Sequence, residues 1–157
     1  LGYAILLCTV RYIGCFPHLT TIIPVAVIDF LSEQLHIERG IEQINIYNSG
    51  KQRRQHVDEI IKIYGYTEFT DTRVAFLLTR WLYSLCWTGT SRPGILFERC
   101  TGWLLSHKVL LPGYSLLERY IARLRSRVEN RLWKSLAGCI DDTQAQRLLE
   151  LLSVPAG

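Results

Sequence analysis

Five apolar residues, Leu117, Ile121, Leu124, Val128 and Leu132, recur at spacings of four, three, four and four, and at about 100° per residue this spacing lines them along one side of a helix. A strand would split them between its two faces. Pro112-Gly113 interrupts the chain just before this series. Ser115 followed three residues later by Glu118 reads as a capping box, in which hydroxyl and carboxylate satisfy backbone N–H groups that have no helical partner. The pattern predicts a long helix that begins near Leu116 and buries the Leu117–Leu132 side.

The rest of the chain follows the same grammar. Residues 3–13 are helical in period, and Gly14-Cys15-Phe16-Pro17 ends them, because proline disfavours helix in the residue before it and lacks a backbone donor. Pro24 suits the first turn of a helix running to about His36, with Val27, Ile28, Leu31 and Leu35 on one side, which completes a helix-turn-helix-like pair. Residues 37–50 mix helical and extended propensity before the turn signal Asn48-Ser49-Gly50. Lys51–Tyr64 then reads as a helix with Val57, Ile60, Ile61 and Tyr64 inward, stopped by Gly65. Thr70-Asp71 opens a helix through about Trp87 whose apolar set is Val74, Leu77, Leu78, Trp81, Leu82 and Leu85, and the segment from Thr88 to Pro93 breaks it. A further helix spans Pro93 to about His107, and Asp141-Asp142-Thr143-Gln144 caps a last short one through Leu152.

No long stretch alternates with period two, so the expected fold is all-α. It is a compact multi-helix domain with helix-turn-helix-like units, short turns and one long basic C-terminal helix. Two helical subdomains, 1–48 and 49–157, are expected to share a core. At 157 residues and 48 % hydrophobic content the chain has enough apolar surface for one.

Composition excludes several classes. Five cysteines, at 8, 15, 86, 100 and 139, are an odd number without a Cys-x-x-Cys pair, so they read as reduced, mostly buried, intracellular thiols rather than a disulfide framework or zinc ribbon. The histidines at 18, 36, 56 and 107 have no second ligand at metal spacing, and no metal or cofactor is expected. The first thirty residues are apolar, but Arg11, Pro17, His18 and Pro24 interrupt them, whereas a membrane-spanning helix needs about twenty mostly apolar residues. No basic segment and cleavage site mark a secretory signal. Methionine is absent and the chain begins inside an apolar periodic run, which reads as a piece of a longer protein.

Charge is concentrated in the long helix. Between residues 115 and 140 there are six Lys or Arg against two Glu, a surplus of +4 that equals the net charge of the whole chain, while residues 1–50 sum to −2. Arg119, Arg123 and Arg127 follow at i, i+4 spacing beside the apolar series, with Lys134 on the same side and Arg131 at its edge. Such a stripe either solvates a structural helix or meets an anion. Lys51, Arg53 and Arg54 start another helix, where cations oppose the macrodipole by a few tenths of a kcal/mol each. They call for a reason beyond helix stability, which a phosphate backbone would supply; the alternative is that they merely solvate the surface.

Catalytic signatures are missing. Neither Gly-x-Ser-x-Gly nor a Gly-x-x-x-x-Gly-Lys-Ser/Thr loop occurs, and Asp71, Asp141 and Asp142 stand where helix caps belong. A nuclease would need a metal-binding carboxylate cluster, and none can be assembled from the sequence.

Five segments carry a family resemblance in order along the chain: Leu7–Gly14 (LCTVRYIG), Pro24–Leu35 (PVAVIDFLSEQL), Arg54–Phe69 (RQHVDEIIKIYGYTEF), Leu96–Gly113 (LFERCTGWLLSHKVLLPG) and Leu117–Trp133 (LERYIARLRSRVENRLW). Together they resemble the N-terminal domain of Tn3-family transposases. The resemblance implies binding to the terminal inverted repeats of a transposon. It also implies that strand cleavage belongs to an acidic-triad, RNase H-like domain far downstream, so this chain holds no catalytic residues and is not itself an enzyme. The implied partner is double-stranded DNA at transposon ends, with no membrane, in a bacterial cytoplasm and associated with the nucleoid; oligomerisation through the full-length transposase stays open. Charge and helix position give the candidate contacts: Lys51, Arg53, Arg54 and His56 from one helix, Tyr114, Ser115, Arg119, Arg123, Arg127 and Arg131 from the other, and Lys108 before the Pro-Gly turn. The alternative reading is a helical protein-interaction or dimerisation module of the transposase assembly.

Overall fold

A computed structural model describes residues 1–18, 23–37, 44, 47, 50–88 and 92–152. Within them the chain forms seven helices: α1 Gly2–Ile13, α2 Val25–Leu35, α3 Lys51–Tyr64, α4 Thr72–Thr88, α5 Pro93–Ser106, α6 Tyr114–Ala137 and α7 Asp142–Leu152. Among the described residues extended pairing is confined to one isolated bridge between Thr67 and Val109, so the all-α expectation holds. Most of the ambiguous 37–50 segment, the Asn48-Ser49 turn and the break at 89–91 lie outside the described residues.

Local chemistry fixes the helix ends. Gly14 closes α1 with φ 82°, its N–H donating to the Val10 carbonyl, and Gly65 closes α3 with φ 68°; both are left-handed conformations in which a Cβ is strained. Asp71 caps α4, its Oδ1 accepting from Arg73 N at 2.8 Å and Val74 N at 3.1 Å. Alanine at Asp71 is expected to lower unfolding stability by about 1 kcal/mol in urea titration, and an unchanged midpoint would show the cap to be idle. Asp141 and Gln144 form a reciprocal box at the start of α7, Gln144 N to Asp141 Oδ1 at 2.7 Å and Asp141 N to Gln144 Oε1 at 3.2 Å.

The start of α6 corrects the sequence expectation. The helix begins at Tyr114, not near Leu116, and has no side-chain cap. The Gly113 carbonyl already accepts from Leu116 N at 2.9 Å and Leu117 N at 3.2 Å, which puts Ser115 inside the first turn. From there Ser115 and Glu118 form no capping box.

Among the described residues three apolar clusters join α1 through α6. The largest joins Val74, Leu78 and Leu82 of α4, Leu96, Cys100 and Leu104 of α5, and Leu117, Ile121 and Leu124 of α6, with Val109 between them. A second joins Leu6 and Val10 of α1 to Ile60 of α3 and to Leu110, and a third joins Ile5 of α1, Ile28 and Leu31 of α2, and Ile44. Contact between α1 and α3 therefore crosses the 48/49 boundary. Val109 and Leu110 are neighbours in extended backbone, where successive side chains point to opposite sides, and each enters a different cluster. The connector between α5 and α6 thus stitches the layers together, with Thr67 N to Lys108 O at 3.0 Å, Leu110 N to Thr67 O at 2.9 Å and Leu111 N to Gly14 O at 2.8 Å.

α2, α3 and α4 are covered less broadly than their apolar sets suggest. Val27, Leu35, Tyr64 and Leu77, all expected inward, are exposed, because neighbours cover only the sides that carry Ile28 and Leu31, Ile60, and Val74 and Leu78. Of the cysteines only Cys100 is fully buried, Cys139 being exposed and the other three half-buried, and all five are free thiols. Burial pushes the Cys100 thiol up to about 12, which keeps it protonated and unreactive. α7 contributes no buried residue, leaving Leu148, Leu149, Leu151 and Leu152 exposed.

Candidate nucleic-acid interface

The faces of α6 are set by its neighbours. Leu117, Ile121, Leu124 and Val128 are buried, and α4 and α5 pack on that side. On one flank Arg125 Nε pairs with Glu129 Oε1 at 2.8 Å. There Glu118, Arg125 and Glu129 line a cavity with Pro93, Phe97 and Tyr114. That flank, with two carboxylates against one guanidinium, is net acidic.

The other flank is not. Arg123, Ser126, Arg127, Asn130, Arg131 and Lys134 line an open groove of about 490 Å³ that contains four cations and no acid. All six side chains are exposed, and none of the four cations has a carboxylate partner among the described residues. Ser126 and Asn130 add hydroxyl and amide hydrogen-bonding groups between the charges. From Arg119 to Lys134 the helix rises about 22 Å, and i, i+4 neighbours stand about 6 Å apart along it. Unpaired guanidinium groups in a row, free of the competing carboxylates that occupy the opposite flank, can neutralise a line of phosphates.

The structure brings three of the candidate contacts, Arg123, Arg127 and Arg131, into this groove. Arg119 lies one turn earlier, its Nε donating to the Ser115 carbonyl at 3.0 Å. Tyr114 is turned to the acidic flank, its ring 4.9 Å from that of Phe97, away from the groove of four cations. Lys108 sits in a left-handed conformation at φ 53° and its Nζ donates to the Tyr64 carbonyl at 3.1 Å, so the ammonium caps the C-terminus of α3.

The α3 cluster divides in two. Lys51 and Arg54 are exposed. Arg53 instead turns inward, its guanidinium donating to the Pro17 carbonyl after α1, while its Nε is buried without a partner among the described residues. His56 Nδ1 is hydrogen-bonded to the Tyr47 hydroxyl at 2.8 Å, and its ring meets Tyr3 edge-on at 5.1 Å. Burial raises the Tyr47 hydroxyl above its ordinary range, and the Arg53 charge pulls the other way. Arg53 and His56 therefore have protein partners that account for them. α3 packs on α1, while α6 packs on α4 and α5, so the two basic clusters stand on different layers.

Sequence reasoning left Ser126, Asn130 and Lys134 out of the contact set, although the i, i+4 rule that selected Arg123 and Arg127 places all three on the same flank. Among the described residues no group of three His, Cys, Asp or Glu is placed to hold a metal ion, and none of the helices is long and apolar enough to cross a membrane.

Residues 1–124 match the family model described as "Domain of unknown function (DUF4158)". Over its whole length the chain is 40 % identical to the transposase for transposon gamma-delta of Escherichia coli (strain K12), of which it covers 16 %. It is 27 % identical over 97 % of its length to the transposase for transposon Tn21 of Escherichia coli, and 26 % identical over 94 % to the transposase for transposon Tn1546 of Enterococcus faecium, covering 15 % of each. The chain thus spans about one sixth of the length of these relatives.

Proposed function

As the chain belongs to the DUF4158 family and corresponds to the N-terminal region of Tn3-family transposases, we propose that it binds double-stranded DNA at the terminal inverted repeats of a transposon and takes no part itself in strand cleavage. The observation that carries this reading is the acid-free row of unpaired cations along α6, formed by Arg123, Arg127, Arg131 and Lys134. These side chains grip phosphates, with Arg119 extending the row by one turn. Lys51 and Arg54 form a second, separate contact on α3. Base readout falls to groups that combine exposure with hydrogen-bonding forks, of which Asn130 in the groove is the best placed. The helix-turn-helix-like pair of α1 and α2 belongs to the same proposal.

Affinity measured against salt tests it. Five phosphate contacts from α6 would make log K fall by about 4.5 per tenfold rise in salt, with the matching inverted repeat preferred to scrambled DNA. A slope near zero would overturn the reading, and equal affinity for both duplexes would remove its sequence specificity.

One observation favours a second reading. Ala145, Leu148, Leu149 and Leu152 recur at helical spacing on α7, and the three leucines are exposed. That pattern suits a helical assembly surface. The two readings make different demands on oligomer size: glutamate at Leu148 and Leu152 together should change it under the second reading and leave it unchanged under the first.

A further inference from the structure

Beside the α6 groove lies a concavity of different character, about 380 Å³ in volume and lined by Tyr83, Ser84, Trp87, Thr88 and Arg131. Tyr83 and Trp87 stand one turn apart near the end of α4, their rings stacked with centroids 6.0 Å apart and planes 13° from parallel. Core packing accounts for only one member of this pair: Tyr83 is half-buried against the largest cluster, whereas Trp87 lies outside it. The fully buried positions of α4 are Val74, Leu78 and Leu82, and Trp87 remains 41 % exposed. Arg131 lines both this pocket and the cationic groove, so the two surfaces are continuous.

The stacked interior of a duplex offers such rings no free base face. Its bases already cover one another's faces, and its phosphates ask for charge rather than for an aromatic plane. An unpaired strand asks for both: cations for its backbone, and ring faces on which the freed bases stack, with an adjoining guanidinium adding cation–π attraction.

We propose that the Tyr83–Trp87–Arg131 pocket is a stacking site for one or two unpaired nucleotides at the end of a DNA duplex held along α6. The inference rests on the reading of the α6 groove as a DNA surface. A strand whose phosphates follow Arg123 and Arg127 reaches Arg131 next, and there its first unpaired base turns onto the Tyr83–Trp87 stack.

The test compares a blunt duplex with the same duplex carrying about three unpaired nucleotides at one end, using anisotropy of labelled DNA with the full chain. The extension is expected to tighten binding about tenfold. Trp87→Ala should abolish that gain and leave blunt-duplex affinity unchanged, while Trp87→Phe, which keeps an aromatic plane, should retain most of it. Unchanged circular-dichroism melting certifies that the variants fold. If wild-type protein binds both duplexes equally, the stacking site is overturned and the duplex reading stands. An equal loss for both duplexes in Trp87→Ala also overturns it, because the ring would then serve the duplex or the fold. Binding to neither DNA would overturn the groove reading and the stacking site together.

Discussion

Glutamate at Arg123, Arg127 and Lys134 together is expected to lower duplex affinity by at least about two orders of magnitude at physiological salt. Each phosphate contact contributes roughly 0.9 to the slope of log K against log salt, and 0.15 M lies about 0.8 of a decade below 1 M, so three lost contacts remove about 2.2 log units before any repulsion from the new carboxylates. The salt slope should become shallower by about 2.7. The fold should survive, because all three side chains are exposed and lack carboxylate partners among the described residues. Removing Lys134 from the last turn of α6 costs only a few tenths of a kcal/mol in helix-dipole interaction. Affinity equal to wild type would refute the groove as the DNA surface.

The second large effect lies at the junction of the layers. Gly14 and Gly65 both end helices with positive φ, yet their surroundings differ. A Cβ on Gly65 meets nothing within 4 Å, whereas one on Gly14 would lie 2.3 Å from Leu105 Cδ2 and 2.9 Å from Leu111 Cγ. Gly65→Ala should therefore lower unfolding free energy by about 1 kcal/mol, the conformational penalty alone. For Gly14→Ala the same penalty is joined by an overpacking cost of about 1–3 kcal/mol. The total, about 2–4 kcal/mol, is a large fraction of a small domain's stability. Parallel urea titrations of the two variants check the difference, and equal losses would mean that Leu105 and Leu111 move aside at no cost.

Much of this architecture is legible in the sequence where a single residue type decides the outcome. The bounds of α3 follow from Gly50 and Gly65, and the caps at Asp71 and Asp141 from short side chains placed two or three residues before free N–H groups. The start of α6 misled because Ser115 and Glu118 have the right spacing for a box, but the Gly113 carbonyl already begins the helix two residues earlier. Spacing cannot reveal which of two nearby signals the backbone adopts. In the candidate interface, the α6 flank is readable as a helical row because its geometry is local. The partners of Arg53 and His56 are not: the Pro17 carbonyl lies 36 residues away in sequence, and Tyr47, nine residues before His56, falls in the segment whose propensity is mixed. Inward-turned cations and outward-turned ones have the same one-dimensional signature, and tertiary contact alone separates them.

The connector between α5 and α6 has a mechanical consequence. Val109 and Leu110 face opposite clusters, and the Leu110 and Leu111 amides are bonded to Thr67 and Gly14. A pull on α6 is therefore delivered to the α1–α3 layer through main-chain bonds across a few residues of inextensible backbone, a tether rather than a soft side-chain contact. A ligand bound along the long helix would therefore load the N-terminal helices as well, through a junction of main-chain bonds.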